Sequence, residues 1–177
     1  GNGGGFFATT DGDESIVLRL KDDYDGAEPA GNSVAAYNLL KLGHLLDRPA
    51  WVEAALSTIR AFSSRLRDLP EMMPQLLVAL DFAQHAVPQI AIVGRRPDPR
   101  PHALLDVIRR EFLPHKTVML VDAALQAHLG GRLSHLAAML PDAATPAAYL
   151  CWNQRCEAPV SEAAALRRAL GARVPGR

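Results

Sequence analysis

The hydrophobic period of this chain changes once, near residue 87, and no single regular element satisfies both halves. From Val34 to Phe82 apolar residues recur every three to four positions; from Gln89 they come in short runs rich in β-branched side chains, separated by proline- and glycine-bearing loops. The first pattern is that of amphipathic helices and the second that of buried strands alternating with helices. We therefore place a boundary near residues 86 to 88 and read two parts, 1–87 and 88–177, in a chain of 177 residues.

Before the first helix, residues 1 to 28 read as glycine-rich loop with short strands, at Gly3-Gly4-Gly5-Phe6-Phe7 and at Ile16 to Leu20. Asn32-Ser33 offers an N-cap for a helix from near Val34 to about Asp47, and Asp47-Arg48-Pro49 starts the next one. That second helix is the clearest element: Trp51, Val52, Ala55, Leu56, Ile59, Phe62 and Leu66 share one face and are expected in the core. A third helix runs from about Pro74 to His85 and carries Leu76, Leu77, Leu80 and Phe82. Short links make the helices antiparallel neighbours, and their wide apolar faces point to a larger helical assembly.

In the second half, Gln89 to Gly94 reads as a buried strand, followed by a proline-rich loop and a helix from about His102 to Phe112. A strand at Thr117 to Val121, a less regular helical stretch from Ala123 to Leu140, a strand at Ala148 to Cys151 and a helix capped by Ser161 complete the pattern. Strand and helix in alternation imply a small parallel sheet with right-handed crossovers. The expected fold class is mainly α with a small α/β part.

Charge excludes some partners. Nineteen basic residues balance nineteen acidic ones, so no overall field draws the chain to nucleic acid or to an anionic membrane, and neither is expected as a partner. Apolar runs fall far short of the roughly 20 residues a membrane span needs. No basic segment followed by an apolar stretch opens the sequence, so no signal peptide is expected. Two cysteines do not make a disulfide framework, which points to a cytoplasmic setting.

Several stretches carry a family resemblance. Gly3-Gly4-Gly5-Phe6-Phe7, Leu18-Arg19-Leu20-Lys21-Asp22 and Asp25-Gly26-Ala27-Glu28-Pro29-Ala30-Gly31-Asn32-Ser33-Val34-Ala35-Ala36, then Asn38-Leu39-Leu40, are similar to a late segment of the spermatogenesis-associated protein 20 family. The closing stretch Ala148-Tyr149-Leu150-Cys151-Trp152-Asn153-Gln154-Arg155-Cys156-Glu157-Ala158-Pro159-Val160 resembles that family's end, where a tyrosine, two cysteines and a proline keep this spacing. Ala30 departs from the serine usual in the family, which removes a hydroxyl from that loop. The resemblance implies a thioredoxin-like domain, then an (α/α)6 six-hairpin toroid related to sugar epimerases and glycosidases, then a short α/β tail. By that implication residues 1–87 are the last helices of the toroid and 88–177 the tail, and the partners are the thioredoxin-like and toroid regions outside this chain. The function implied is binding or processing of a carbohydrate-type ligand in the toroid cavity. The alternative is a non-catalytic scaffold for a thioredoxin-like redox or protein-quality function located elsewhere.

The candidate site residues follow from chemistry as well as resemblance. Asp25 and Glu28, with Arg19, Lys21 and Asn32 near in sequence, could line a cavity mouth, because carboxylates and amides suit sugar hydroxyls and Phe6 or Phe7 can stack on a sugar ring. The structural reading of the same residues has Asp25 capping a turn, Gly26 and Gly31 supplying special dihedrals and Asn32 capping the helix. Cys151 and Cys156 have four residues between them, against two in thioredoxin-type motifs. Buried, inert or weakly paired cysteines are the expectation, with a disulfide open to them if a turn brings the Cα atoms within roughly 7 Å. The six histidines show no metal spacing, and Gly130-Gly131 interrupts the stretch joining His128 to His135, so no metal is expected. Arg95 and Arg96 follow a strand ending at Gly94 without a phosphate-binding glycine pattern, so no nucleotide or other cofactor is expected.

Overall fold

The computed structural model describes residues 3–12, 14–95, 97–139, 144–152 and 155–172. Arg96, Leu140, Asn153 and Gln154 lie outside the described residues. The chain divides into two compact units, Gly1–His85 and Ala86–Arg177. Together they make a mixed α/β protein, and among the described residues no helix is long and apolar enough to cross a membrane.

The first unit holds α1 (Gly31–Leu45), α2 (Pro49–Ala61), the short α3 (Ser63–Asp68), a 3₁₀ turn at Pro70–Met72 and α4 (Pro74–Gln84). α1 packs against both α2 and α4. Ala36, Leu40, Ala55, Ile59, Phe62, Leu66, Met73, Leu76, Ala79 and Phe82 are buried between them. Tyr37 meets the Phe82 ring edge-on at 5.6 Å.

Three expectations change here. The first helix starts at Gly31 with Ala30 in the N-cap position, so Asn32 lies inside the helix and does not cap it. The second helix breaks at Phe62 (φ −106°, ψ 9°), which closes α2 and opens α3. Trp51 is not core: it stays 38 % exposed in the first turn of α2, whereas Ala55 and Ile59 of the same helix are buried. Periodicity reports which residues share a face, and only a covering neighbour buries them.

Residues 3–12 and 14–30 are extended loop lying on the helices. Ile16 to Leu20 is not a strand, since its one backbone bond among the described residues runs from Ala8 N–H to the Leu20 carbonyl (2.8 Å). Val17 and Leu18 project into solvent. β propensity without an edge to pair with leaves the segment extended and unladdered.

The second unit holds β1 (Gln89–Val93), α5 (Arg100–Arg110), β2 (Thr117–Val121), α6 (Ala123–Leu129), α7 (Ser134–Ala137), β3 (Ala147–Trp152), β4 (Arg155–Cys156) and α8 (Ala163–Gly171). The sheet order is β2-β1-β3-β4. β1 and β2 are parallel, joined by α5 as crossover, with Gln89 beside Thr117 and Val93 beside Val121. β3 is antiparallel to β1, with Val93 opposite Ala147, and β4 is antiparallel to β3. The expected all-parallel sheet is therefore a mixed sheet with one parallel pair.

The reason lies after β2. A further parallel strand needs a helix that carries the chain back to the start of the sheet. α6 has seven residues and α7 four, interrupted at Gly130-Gly131, and β3 enters beside the end of β1. α5 and α8 cover one face, burying Ile90, Ile92, Leu104, Val107, Ile108, Ala148, Leu150, Leu166 and Leu170. α8 takes Glu162, not Ser161, as its N-cap.

One helical residue gives a pH-dependent expectation. His44, half-buried 6.0 Å from the Phe82 ring, has its pKa lowered from the usual 6.5 by desolvation. The folded state then binds a proton less readily than the unfolded chain. Its contribution to stability is present above the unfolded pKa and is lost as pH falls through the folded one. Thermal melts between about pH 7 and pH 5 should show declining stability, less steep in His44→Gln.

Candidate functional site

Asp25 sits at the meeting point of two helix starts. Its Oδ1 accepts from the N–H of Ala30, the N-cap residue of α1, at 2.8 Å. Its Oδ2 accepts from Gln75 N–H (2.8 Å) and Leu76 N–H (3.2 Å) in the first turn of α4. A helix start leaves backbone donors without partners, and a carboxylate there gains both the hydrogen bonds and the helix dipole. The Asp25 N–H in turn donates to the Met72 carbonyl (2.9 Å), and the residue is buried. A carboxylate enclosed this way is held as a structural acceptor.

Asn32 closes the glycine-rich loop in the same manner. Its Oδ1 accepts from Phe6 N–H (2.6 Å), and its Nδ2 donates to the carbonyls of Phe6 (2.9 Å) and Asp22 (2.8 Å). The amide imitates a strand partner for Phe6 and is 3 % exposed. The loop lies close on the helices. A Cβ built on Gly4 would stand 2.1 Å from the Ser57 carbonyl oxygen, and Gly5 lies over the Phe62 ring. Both glycines have positive φ (69° and 71°). Gly26 and Gly31, expected to carry special dihedrals, are not among the positive-φ residues.

The remaining candidates divide. The Arg19 guanidinium lies 4.1 Å above the Phe7 ring centroid, pairs with Asp11 at 2.9 Å and donates to the Thr9 carbonyl. Lys21 Nζ lies 4.9 Å from the Phe7 ring centroid and donates to the Gly4 carbonyl. Phe7 is thus contacted by two cations of its own loop. Asp23, which the sequence did not single out, accepts from Arg65 Nη1 through both oxygens at 2.9 Å and ties the loop to α3. Glu28 is exposed. Exchange of Glu28 for glutamine should change unfolding free energy by less than about 0.5 kcal/mol in a urea titration.

No family model matches the chain. Spermatogenesis-associated protein 20 of Homo sapiens is 36 % identical over 171 residues, 95 % of this chain and 22 % of its own length. The Rattus norvegicus protein of that name is 35 % identical over 172 residues. The chain belongs to the spermatogenesis-associated protein 20 family. An uncharacterized protein of Caenorhabditis elegans is 32 % identical over 90 % of the chain. The chain spans about a fifth of the length of these curated relatives.

The cysteines of this spermatogenesis-associated protein 20 relative are paired. Cys151 on β3 faces Cys156 on β4, Cα atoms 3.9 Å apart, and their sulfurs form a disulfide. The disulfide that the spacing left open is thus the form the structure takes, in place of inert thiols. Cys151 is buried, but Cys156 is exposed, and the hairpin register brings them opposite one another.

A crevice of about 420 Å³ lies past the ends of β1 and β2, lined by Gly94, Pro97, Pro101, His102, Leu120 and Asp122 among others. Open α/β sheets bind ligands at this edge. Here the first turn of α5 offers a phosphate little. Arg100 N–H donates to Asp98 Oδ1, Pro101 has no N–H, and His102 N–H donates to the Pro99 carbonyl. The Arg100 guanidinium also clamps Asp98, and its hydrogen bonds hold that carboxyl below its ordinary pKa.

Proposed function

We propose that this chain is a non-catalytic scaffold within a longer protein, serving a thioredoxin-like redox or protein-quality function located outside it. One observation carries this reading. The two polar candidates best placed for chemistry, Asp25 and Asn32, are buried and bound to backbone groups. Exposed apolar side chains on the helices, among them Val34, Leu42, Trp51, Leu77 and Val78, are the kind of surface that further helices of an (α/α)6 toroid would cover. On this reading the partners are those further helices and a thioredoxin-like domain of the same protein, in a cytoplasmic setting.

A carbohydrate-type ligand is the second reading. It is favoured by exposed Glu28, Tyr24 and Phe6, a carboxylate and two aromatic faces in one loop region. Calorimetric titration of the chain with mono- and oligosaccharides separates the two. The scaffold reading expects no saturable heat. Saturable heat that disappears in Glu28→Gln, with folding intact, would transfer the assignment to the carbohydrate reading.

A further inference from the structure

We propose that Cys151 and Cys156 form a reversible thiol–disulfide exchange site that accepts a small dithiol as its reaction partner. Strand register, hydrogen bonds that duplicate the disulfide and unequal exposure of the two sulfurs together favour exchange at this pair.

Register comes first. Cys151 and Cys156 are directly opposed residues of an antiparallel pair, so the backbone keeps the two side chains adjacent whether or not the sulfurs are bonded. Such placement makes re-formation of the bond an intramolecular step.

The bond is also redundant as a staple. The hairpin is closed independently by Glu157 N–H to the Leu150 carbonyl (2.9 Å) and by the two-way bond between Ala148 and Val160 (2.8 and 2.9 Å). The cysteines are only five positions apart, and so short a loop gives the bond little chain entropy to remove from the unfolded state. Reduction therefore leaves the hairpin paired.

Exposure then fixes the direction of attack. Cys156 is exposed and Cys151 is 2 % exposed. A thiolate of the dithiol attacks the Cys156 sulfur, forming a mixed disulfide and releasing Cys151 as thiolate, which takes a proton from solvent. The second thiol of the reductant, as thiolate, then attacks its own partner sulfur and releases Cys156 as thiolate, protonated in turn. The protein disulfide gains two electrons and two protons, and the dithiol becomes a cyclic disulfide. Oxidation runs the same steps backwards.

The test uses the full chain with dithiothreitol as the dithiol, followed by maleimide labelling and mass spectrometry. Untreated protein should take no label. After reduction Cys156 should label about tenfold faster than Cys151 or more, as exposure governs thiol reactivity. The far-ultraviolet circular dichroism spectrum should not change, and exchanging the dithiol for an excess of its cyclic disulfide should restore the unlabelled form. Two free thiols before reduction, equal labelling rates, or loss of the dichroism signal on reduction would each overturn the proposal. Cys156→Ser supplies a second readout: Cys151 should stay unlabelled until denaturant is added, and ready labelling of a folded variant would contradict the asymmetry.

Discussion

Asp25→Ala should lower the stability of the helical unit by about 3 kcal/mol, the largest effect expected of any single polar residue in the chain. Three backbone donors lose an acceptor at once, at Ala30, Gln75 and Leu76, and the site is buried, so water replaces the carboxylate poorly. A capping side chain is ordinarily worth about 1 kcal/mol, and here one carboxylate serves two helix starts. Asp25→Asn should cost nearly as much, because whichever way the amide turns, its NH₂ faces a backbone N–H. Thermal unfolding should show a melting temperature lower by about 10 °C or more. Hydrogen exchange should quicken first at the amides of Ala30, Gln75 and Leu76. A loss below about 1 kcal/mol would mean that the loop relaxes to let water in, and the double-cap account would fail.

The second large effect is expected at Gly4. Gly4→Ala puts a methyl 2.1 Å from the Ser57 carbonyl oxygen, on a backbone at φ 69°. The dihedral alone costs an L-residue roughly 1–2 kcal/mol, and forcing an atom into a filled space adds about 1–3 kcal/mol. The total is limited to what the loop gains by docking, because the chain can lift off α2 and give up the Asn32 bonds to Phe6. A net loss of about 3 kcal/mol in a urea titration is expected, with new protease cleavage between residues 3 and 22. Gly12→Ala is the control. It has φ 80° but open space around the added carbon, so only the dihedral cost of about 1–2 kcal/mol should appear. Equal losses at the two positions would show that close approach to Ser57 contributes nothing.

Asp25 and Asn32 show how far a candidate site can be read before the fold is known. Their sequence neighbourhood named both residues, yet the same letters fit a sugar-binding loop and a structural knot. The partners that tie them into the fold, Gln75, Leu76 and Phe6, lie 50, 51 and 26 positions away. No local pattern encodes such distances. Arg65, which holds Asp23 across 42 positions, carried no signal at all. The disulfide was closer to legible. A spacing of five left both pairing and inertness open, and the β3–β4 hairpin settled it.

By itself, the sequence determined the helical character of the first unit, the positions of β1, α5, β2 and β3, and the glycine loop. Each of these follows from side-chain period, or from proline and glycine acting within a few residues. Tertiary structure alone decided the rest: that Ile16 to Leu20 stays unpaired, that Trp51 stays exposed, that β3 runs against β1, and that Asp25 holds two helices together. The physical reason is common to all four. Period and propensity fix what a segment can present, whereas pairing, burial and hydrogen-bond satisfaction depend on which distant segment arrives to meet it.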